Sequence, residues 1–178
     1  MNKKTKKFLK NQLFLILENI RSLYNVGAIF RTAEAASVSK IFLVGPTGII
    51  IPESPEDKRR PVLNPKLTKT ALGTEKQICW QHFWSSKEVI NKIIKRQNDQ
   101  TTIFALEQTA KAKNYTKVKY KLPLVLIVGN EKTGIKKETL KLINQVIQIP
   151  MFSQHKSLNV ATACGIAIFE IIRQIMTP

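Results

Sequence analysis

Five short apolar runs constrain this chain most: FLIL (14–17), IFLV (41–44), IFAL (103–106), LVLIV (124–128) and VIQI (146–149). Each has the length of a strand and is rich in bulky aliphatic residues. That suits strands covered on both faces rather than strands with one wet side. Between the runs, the spacing predicts helices over 26–37, 64–72, 86–97, 136–142 and 158–175. Strands alternating with helices imply α/β architecture, a parallel sheet with helices on both faces. A chain of 178 residues fits one such domain, assigned here to 13–178, with 1–12 as a basic N-terminal arm.

The charge balance narrows the partner. Against 12 Asp+Glu stand 29 Lys+Arg, a net charge of +17, which favours a polyanion: nucleic acid or an anionic membrane. No apolar run approaches the roughly 20 residues needed to span a bilayer. MNKKTKKFLK is followed by no signal-peptide core, so no membrane association and a cytoplasmic location are expected. Lys3, Lys4, Lys6 and Lys7 of the arm, Arg21, and Arg59 and Arg60 in the Pro-rich loop from Gly48 to Lys66 are candidate phosphate contacts. The arm lysines and the loop arginines read equally as solvated surface. Cys79 and Cys164 lie far apart, and His82 and His155 pair with neither at metal-ligand spacing. Neither a metal nor a disulfide is expected, and both cysteines read as small core residues.

Three segments carry the chemistry. In NIRSLYNVGAIFRTAEAA (19–36), Val26, Ile29, Phe30, Ala33 and Ala36 form one helical apolar stripe. Asn25 stands where a helix cap is expected, and Gly27 leaves room for another backbone. Arg31 then places a cation in an otherwise apolar helix.

LVLIVGNEKTGIKKET (124–139) approaches a phosphate-binding loop, with Gly129 and Gly134 correctly spaced after a strand. Ile135 then occupies the lysine position, and Lys136 is followed by Lys137 rather than by Ser or Thr, so the phosphate grip is missing. An NTPase is disfavoured, and no dinucleotide fingerprint is present.

In SLNVATACGIAIFEIIRQIM, Ser157 reads as the cap of the last helix, and small residues dominate its first half. The second half is apolar nearly all round, so it needs burial, and a subunit interface would supply it. Turns after IFAL, LVLIV and VIQIP lie at strand carboxyl ends and together form one wall of a cleft suited to a nucleoside.

NIRSLYNVGAIFRTAEAA, LVLIVGNEKTGI and IQIPMFSQHKSLNVATACGIAIFE resemble, in this order, the three motifs of the SpoU/TrmH branch of the SPOUT RNA methyltransferases. KTALGTEKQICW (69–80) is similar to a further segment of that family. The resemblance implies S-adenosylmethionine-dependent methylation of a ribose 2′-hydroxyl in tRNA or rRNA. It further implies a C-terminal deep trefoil knot and a homodimer with active sites near the interface. The alternatives are a non-catalytic RNA-binding protein on the same fold and a base-methylating SPOUT enzyme.

Carried over by position, the resemblance assigns Leu106, Gly129, Ile149, Met151, Ser157 and Leu158 to the cofactor. It assigns Asn25, Arg31, Glu131, Ser157 and Asn159 to the polar catalytic set. Each of these also has a plainer reading: Asn25 or Ser157 as a helix cap, Glu131 as an acceptor for loop amides, Asn159 as an acceptor for local backbone. Where the family commonly has glycine two residues after the methionine, this chain has Ser153, followed by His155 and Lys156. Arg31 stays protonated and is a poor base; clamping a phosphate and stabilising a developing oxyanion suit it better. With no room for a separate RNA-binding domain, tRNA is favoured over rRNA.

Overall fold

Strands β1 (Leu13–Glu18), β2 (Lys40–Val44), β3 (Trp80–Phe83), β4 (Thr102–Leu106), β5 (Lys113–Asn114), β6 (Leu124–Val128) and β7 (Gln145–Gln148) form one sheet, in the order β3-β2-β1-β6-β4-β7-β5. Every neighbouring pair is parallel. The helices are α1 (Leu23–Ala35), α2 (Thr68–Ala71), α3 (Ser86–Arg96), α4 (Lys137–Leu140) and α5 (Val160–Met176). This computed structural model describes residues 12–50, 62–97, 100–152, 154 and 157–177. Lys3, Lys4, Lys6, Lys7, Arg59 and Arg60, together with Ser153, His155 and Lys156, lie outside the described residues.

Strand periodicity distributes the core between two faces. All six residues of β1 are buried. Leu13, Leu15 and Leu17 pack with Val26, Ile29 and Phe30 of α1 and with Ala167, Ile168 and Ile171 of α5. Phe14 and Ile16 point the other way, against Val89, Ile90 and Ile93 of α3, with Leu140 of α4 at the margin. This is why the apolar runs show no alternation: neither face of the sheet's centre meets water.

Two strands escape the sequence reading. WQHF, in β3, has no aliphatic run, and β5 is only two residues long. Both sit at edges of the sheet, where burial imposes the weakest pattern.

Both cap assignments move by a few residues. α1 begins at Leu23, capped by Ser22, whose Oγ accepts from Asn25 N at 3.3 Å. Asn25 is therefore in the first turn, and its side chain is released for other work. At α5 the cap is Asn159 rather than Ser157; its Oδ1 accepts from Ala161 N at 2.9 Å and Thr162 N at 3.3 Å. Cys164 is buried as expected, but Cys79 is exposed, because it precedes the edge strand β3 instead of lying within the sheet.

Gly27 makes room for backbone. A Cβ there would meet Thr70 Oγ1, lie 2.5 Å from Leu67 O and 3.0 Å from Ala71 N, so α2 packs directly on α1. α5 packs on α1 as well, with Gly165 facing Thr32. Its other side is left open among the described residues: Ile166, Phe169 and Met176 are 36%, 51% and 41% exposed. Among the described residues, no helix is long and apolar enough to cross a membrane.

The order of strands defines where a ligand belongs. β1, β2 and β3 progress outward in one direction; the chain then crosses to place β4 on the opposite side, and β6 fills the gap between β1 and β4. That reversal creates a switch point at the carboxyl ends of β1, β6 and β4, the place where open α/β sheets bind ligands.

Candidate active site

A cleft lies at this switch point, walled by the turns after β4, β6 and β7 and by the start of α5. Leu106, Gly129, Ile149, Met151, Ser157 and Leu158 all line it, together with Glu107, Gln108, Val128, Asn130, Glu131, Gln148, Val160 and Ala163. Every residue assigned to the cofactor on motif position thus opens onto one cavity. Gln108 Nε2 donates to Ile149 O at 2.8 Å and ties the first turn to the third.

The second wall is a closed loop. Asn130 N donates to Gly134 O at 3.2 Å and Gly134 N returns to Asn130 O at 2.9 Å. Inside it, Asn130 Oδ1 accepts from Lys132 N at 2.9 Å and Thr133 N at 3.0 Å, while Nδ2 donates to Asn19 O at 2.7 Å. Ile135 N is held by Glu107 Oε2 at 2.9 Å and Lys136 N by Glu18 Oε1 at 2.7 Å. The amides from Lys132 to Lys136 are therefore all engaged within the protein. A phosphate-binding loop turns such amides toward its anion; here carboxylates and an asparagine take them, which is the structural form of the motif's mismatch.

This loop explains its glycines. A Cβ on Gly129 would come within 2.6 Å of Gly134 C and Ile135 N. Gly134 has φ +67° and faces the Glu107 carboxylate, which fills the space a side chain would need.

Three of the polar motif residues meet in one hydrogen-bonded chain. Asn159 Nδ2 donates to Asn25 Oδ1 at 3.0 Å, and Asn25 Nδ2 donates to Glu131 Oε1 at 2.8 Å. Glu131 also accepts from Arg21 N at 3.3 Å and Ser22 N at 3.4 Å, at the start of α1. Partial burial pushes the Glu131 carboxyl up, but the Asn25 amide and the backbone amides outweigh it and hold the carboxyl below its ordinary value. The plainer readings of Glu131 and Asn159 are thus realised in the geometry, and both residues reach across to a second motif while fulfilling them.

Arg31 stands apart from this chain. It is exposed, and its side chain has no hydrogen bond or ion pair among the described residues. Helix geometry sets it about 120° round α1 from Asn25 and about 9 Å along the axis. Arg21 is also exposed. Among the described residues, no group of three His, Cys, Asp or Glu side chains could hold a metal.

Glu107, Gln108 and Asn130 were missed by sequence reasoning. Their signal was positional: each follows a central parallel strand within two residues, where the switch-point rule puts ligand-lining groups.

A parallel sheet with a cleft of mixed apolar and polar lining at its switch point is the arrangement by which proteins of the α/β class bind ligands. The chain belongs to the SpoU rRNA Methylase family, whose profile matches residues 12–169. It is 29% identical over 162 residues to the tRNA (guanosine(18)-2′-O)-methyltransferase of Thermus thermophilus, covering 91% of this chain and 75% of that one. In structure it is similar to the A. aeolicus TrmH/SpoU tRNA modifying enzyme, with a TM-score of 0.75 and 26% identity over 98% of this chain and 82% of the other. It is equally similar, at TM-score 0.75 and 25% identity, to an AdoMet-bound rRNA methyltransferase from Sinorhizobium meliloti, over 93% of this chain and 57% of that one.

Proposed function

We propose that this protein transfers the methyl group of S-adenosylmethionine to a ribose 2′-hydroxyl of RNA. The observation that carries the reading is the Asn159–Asn25–Glu131 chain, which joins the polar residues of three sequence motifs beside one nucleoside-suited cleft. The named activity of the Thermus relative and the AdoMet-bound Sinorhizobium relative support it.

The residues present fit the cofactor. Leu106, Val128, Ile149, Met151 and Leu158 supply apolar walls, while Glu107, Gln108, Glu131 and Ser157 supply a few polar points. That mixture suits a nucleoside with a charged tail. The bound cofactor supplies a sulfonium methyl, an electrophile that needs no further activation. The protein's part is then alignment, stabilisation of charge on the attacking oxygen, and a path for its proton. Leu106, Gly129, Ile149, Met151, Ser157 and Leu158 hold the cofactor, and Asn25, Glu131 and Asn159 fix the geometry of the walls around it. Arg31, charged and without a partner among the described residues, clamps the phosphate of the target nucleotide and steadies the developing oxyanion. The proton passes to a phosphate oxygen or water held there.

Transfer RNA is the favoured substrate, supported by the named activity of the Thermus relative. The functional unit is a homodimer, supported by the apolar residues Ile166, Phe169 and Met176 left open on α5. The knotted C-terminal topology is inferred from family membership and from the insertion of β6 between β1 and β4. The catalytic domain is assigned to 13–178, with the basic arm before it as an RNA contact.

Calorimetry with S-adenosylmethionine, followed by mass spectrometry of nucleosides from RNA incubated with protein and cofactor, tests the reading. A 2′-O-methylated nucleoside is expected. Cofactor binding with methyl found only on bases, or no cofactor binding at all, overturns it.

A further inference from the structure

A second cavity, of about 550 Å³, opens on the other side of the 129–136 loop. Its rim carries Trp84, Lys87, Lys136 and Lys141, and its floor reaches Glu18 at the carboxyl end of β1. Nothing in the methyl-transfer chemistry uses it.

Trp84 is 58% exposed, which is unusual for so large an apolar side chain. It is nevertheless held in place. His82 meets it edge-on, with ring centroids 4.8 Å apart and planes at 86°, and His82 Nε2 is 2.7 Å from Gly45 O. An indole positioned in this way is a preformed surface for a flat partner.

The charges around it point to a polyanion. Lys87, Lys136 and Lys141 outnumber the one exposed carboxylate on the rim, Glu138. Glu18 beneath is 1% exposed, and its carboxyl oxygens accept from Ser86 Oγ, from Thr139 Oγ1 at 2.6 Å and from Lys136 N at 2.7 Å. Aromatic faces interleaved with lysines bind single-stranded nucleic acid, bases on the rings and phosphates on the cations. Position fits too: Glu131 and Lys136 stand near opposite ends of one short loop, so the cavity and the cofactor cleft share a wall. By strand spacing, Trp84 after β3 lies about 14 Å across the sheet edge from Gly129 after β6.

We propose that this cavity is a subsite for an unpaired stretch of the RNA substrate flanking the target nucleotide, with a base against Trp84 and phosphates on Lys87, Lys136 and Lys141. The proposal rests on the RNA methyltransferase reading.

The test uses the full chain with two probes, bulk tRNA and a fluorescein-labelled uridine 12-mer, in anisotropy titrations over a range of salt. Trp84→Ala should weaken both about tenfold, within the range for loss of one stacked base, while Trp84→Phe retains most of the affinity. Lys87→Gln with Lys141→Gln should weaken binding and lower the slope of log affinity on log salt by about one to two. Calorimetry should show S-adenosylmethionine affinity unchanged in every variant, and methylation assays should show a raised KM at near-constant kcat. Unchanged RNA affinity and salt slope in these variants, in a protein that still methylates RNA, overturns the subsite alone; so does a Trp84→Ala defect only in binding to another protein. A wild-type chain that binds neither RNA overturns the methyltransferase reading as well.

Discussion

Asn25 donates its side-chain amide to Glu131 at 2.8 Å across 106 positions of sequence, and the same Asn25 accepts from Asn159 at 3.0 Å. One asparagine thereby joins the first turn of α1 to the loop after β6 and to the cap of α5. Asn25→Ala should remove both bonds and leave Glu131 short of its strongest donor. The expected cost is about 1 kcal/mol of stability, or roughly 2–4 °C in melting temperature, with a larger loss of cofactor affinity. Asn25→Asp, which sets a second carboxylate against Glu131, should be worse than alanine in both measurements.

Arg31→Ala should leave the fold untouched, because the side chain is exposed and engages nothing among the described residues. Turnover should fall about 10²–10³-fold, the scale of losing one donor to a developing oxyanion. Cofactor affinity by calorimetry should not change. Loss of cofactor binding with kcat intact at saturation would falsify the role given to this arginine.

The Glu131 carboxyl is depressed below its ordinary value, so its stabilising effect has a definite direction in pH. It is fully present above the unfolded-state pKa, about 4.3, and is lost as pH falls through the lower folded value. Urea midpoints measured from pH 6 down to pH 3 should drop in the natural protein, and the drop should be shallower in Glu131→Gln. Equal slopes in the two proteins would show that the carboxylate contributes nothing through these bonds.

Gly129→Ala should open the loop that walls the cleft. The added carbon would stand 2.6 Å from backbone atoms of Gly134 and Ile135, which have no flexible end to move. A loss of about 1–3 kcal/mol is expected from such overpacking, together with weakened cofactor binding. Chemical denaturation and calorimetry on the same preparation measure the two effects.

Phe169→Asp tests the dimer. The ring is 51% exposed on α5, so a charge there costs the single chain little. In sedimentation experiments the natural protein should run as a dimer and the variant as a monomer. A variant that remains dimeric would place the interface elsewhere.

The centre of this protein was legible because burial on both faces forces a strand to be apolar throughout, as in LVLIV. The edges were less so: WQHF in β3 and Lys113–Asn114 in β5 meet solvent and carry no such pattern. In the site, the glycine-bearing turns announced a cleft because close backbone approach needs glycine at Gly129 and positive φ needs it at Gly134. What stayed hidden was division of labour among neighbours. Ser22 and Asn25 are both good cap residues three positions apart, as are Ser157 and Asn159 two apart, and only the path of the backbone decides which one caps. Glu107 and Glu18 hold amides distant in sequence, which no local spacing reveals.

The inward-turned amides of the 129–136 loop have a consequence for how RNA recognition can change over time. A loop that grips phosphate with its backbone keeps that grip whatever its side chains become. Here, the amides from Lys132 to Lys136 belong to Asn130, Glu107 and Glu18, so contact with phosphate around this loop falls to side chains. Side chains can be exchanged one codon at a time. The wall beside the cleft can stay fixed while the lysines around it are redistributed, and a new RNA can be met without rebuilding that wall.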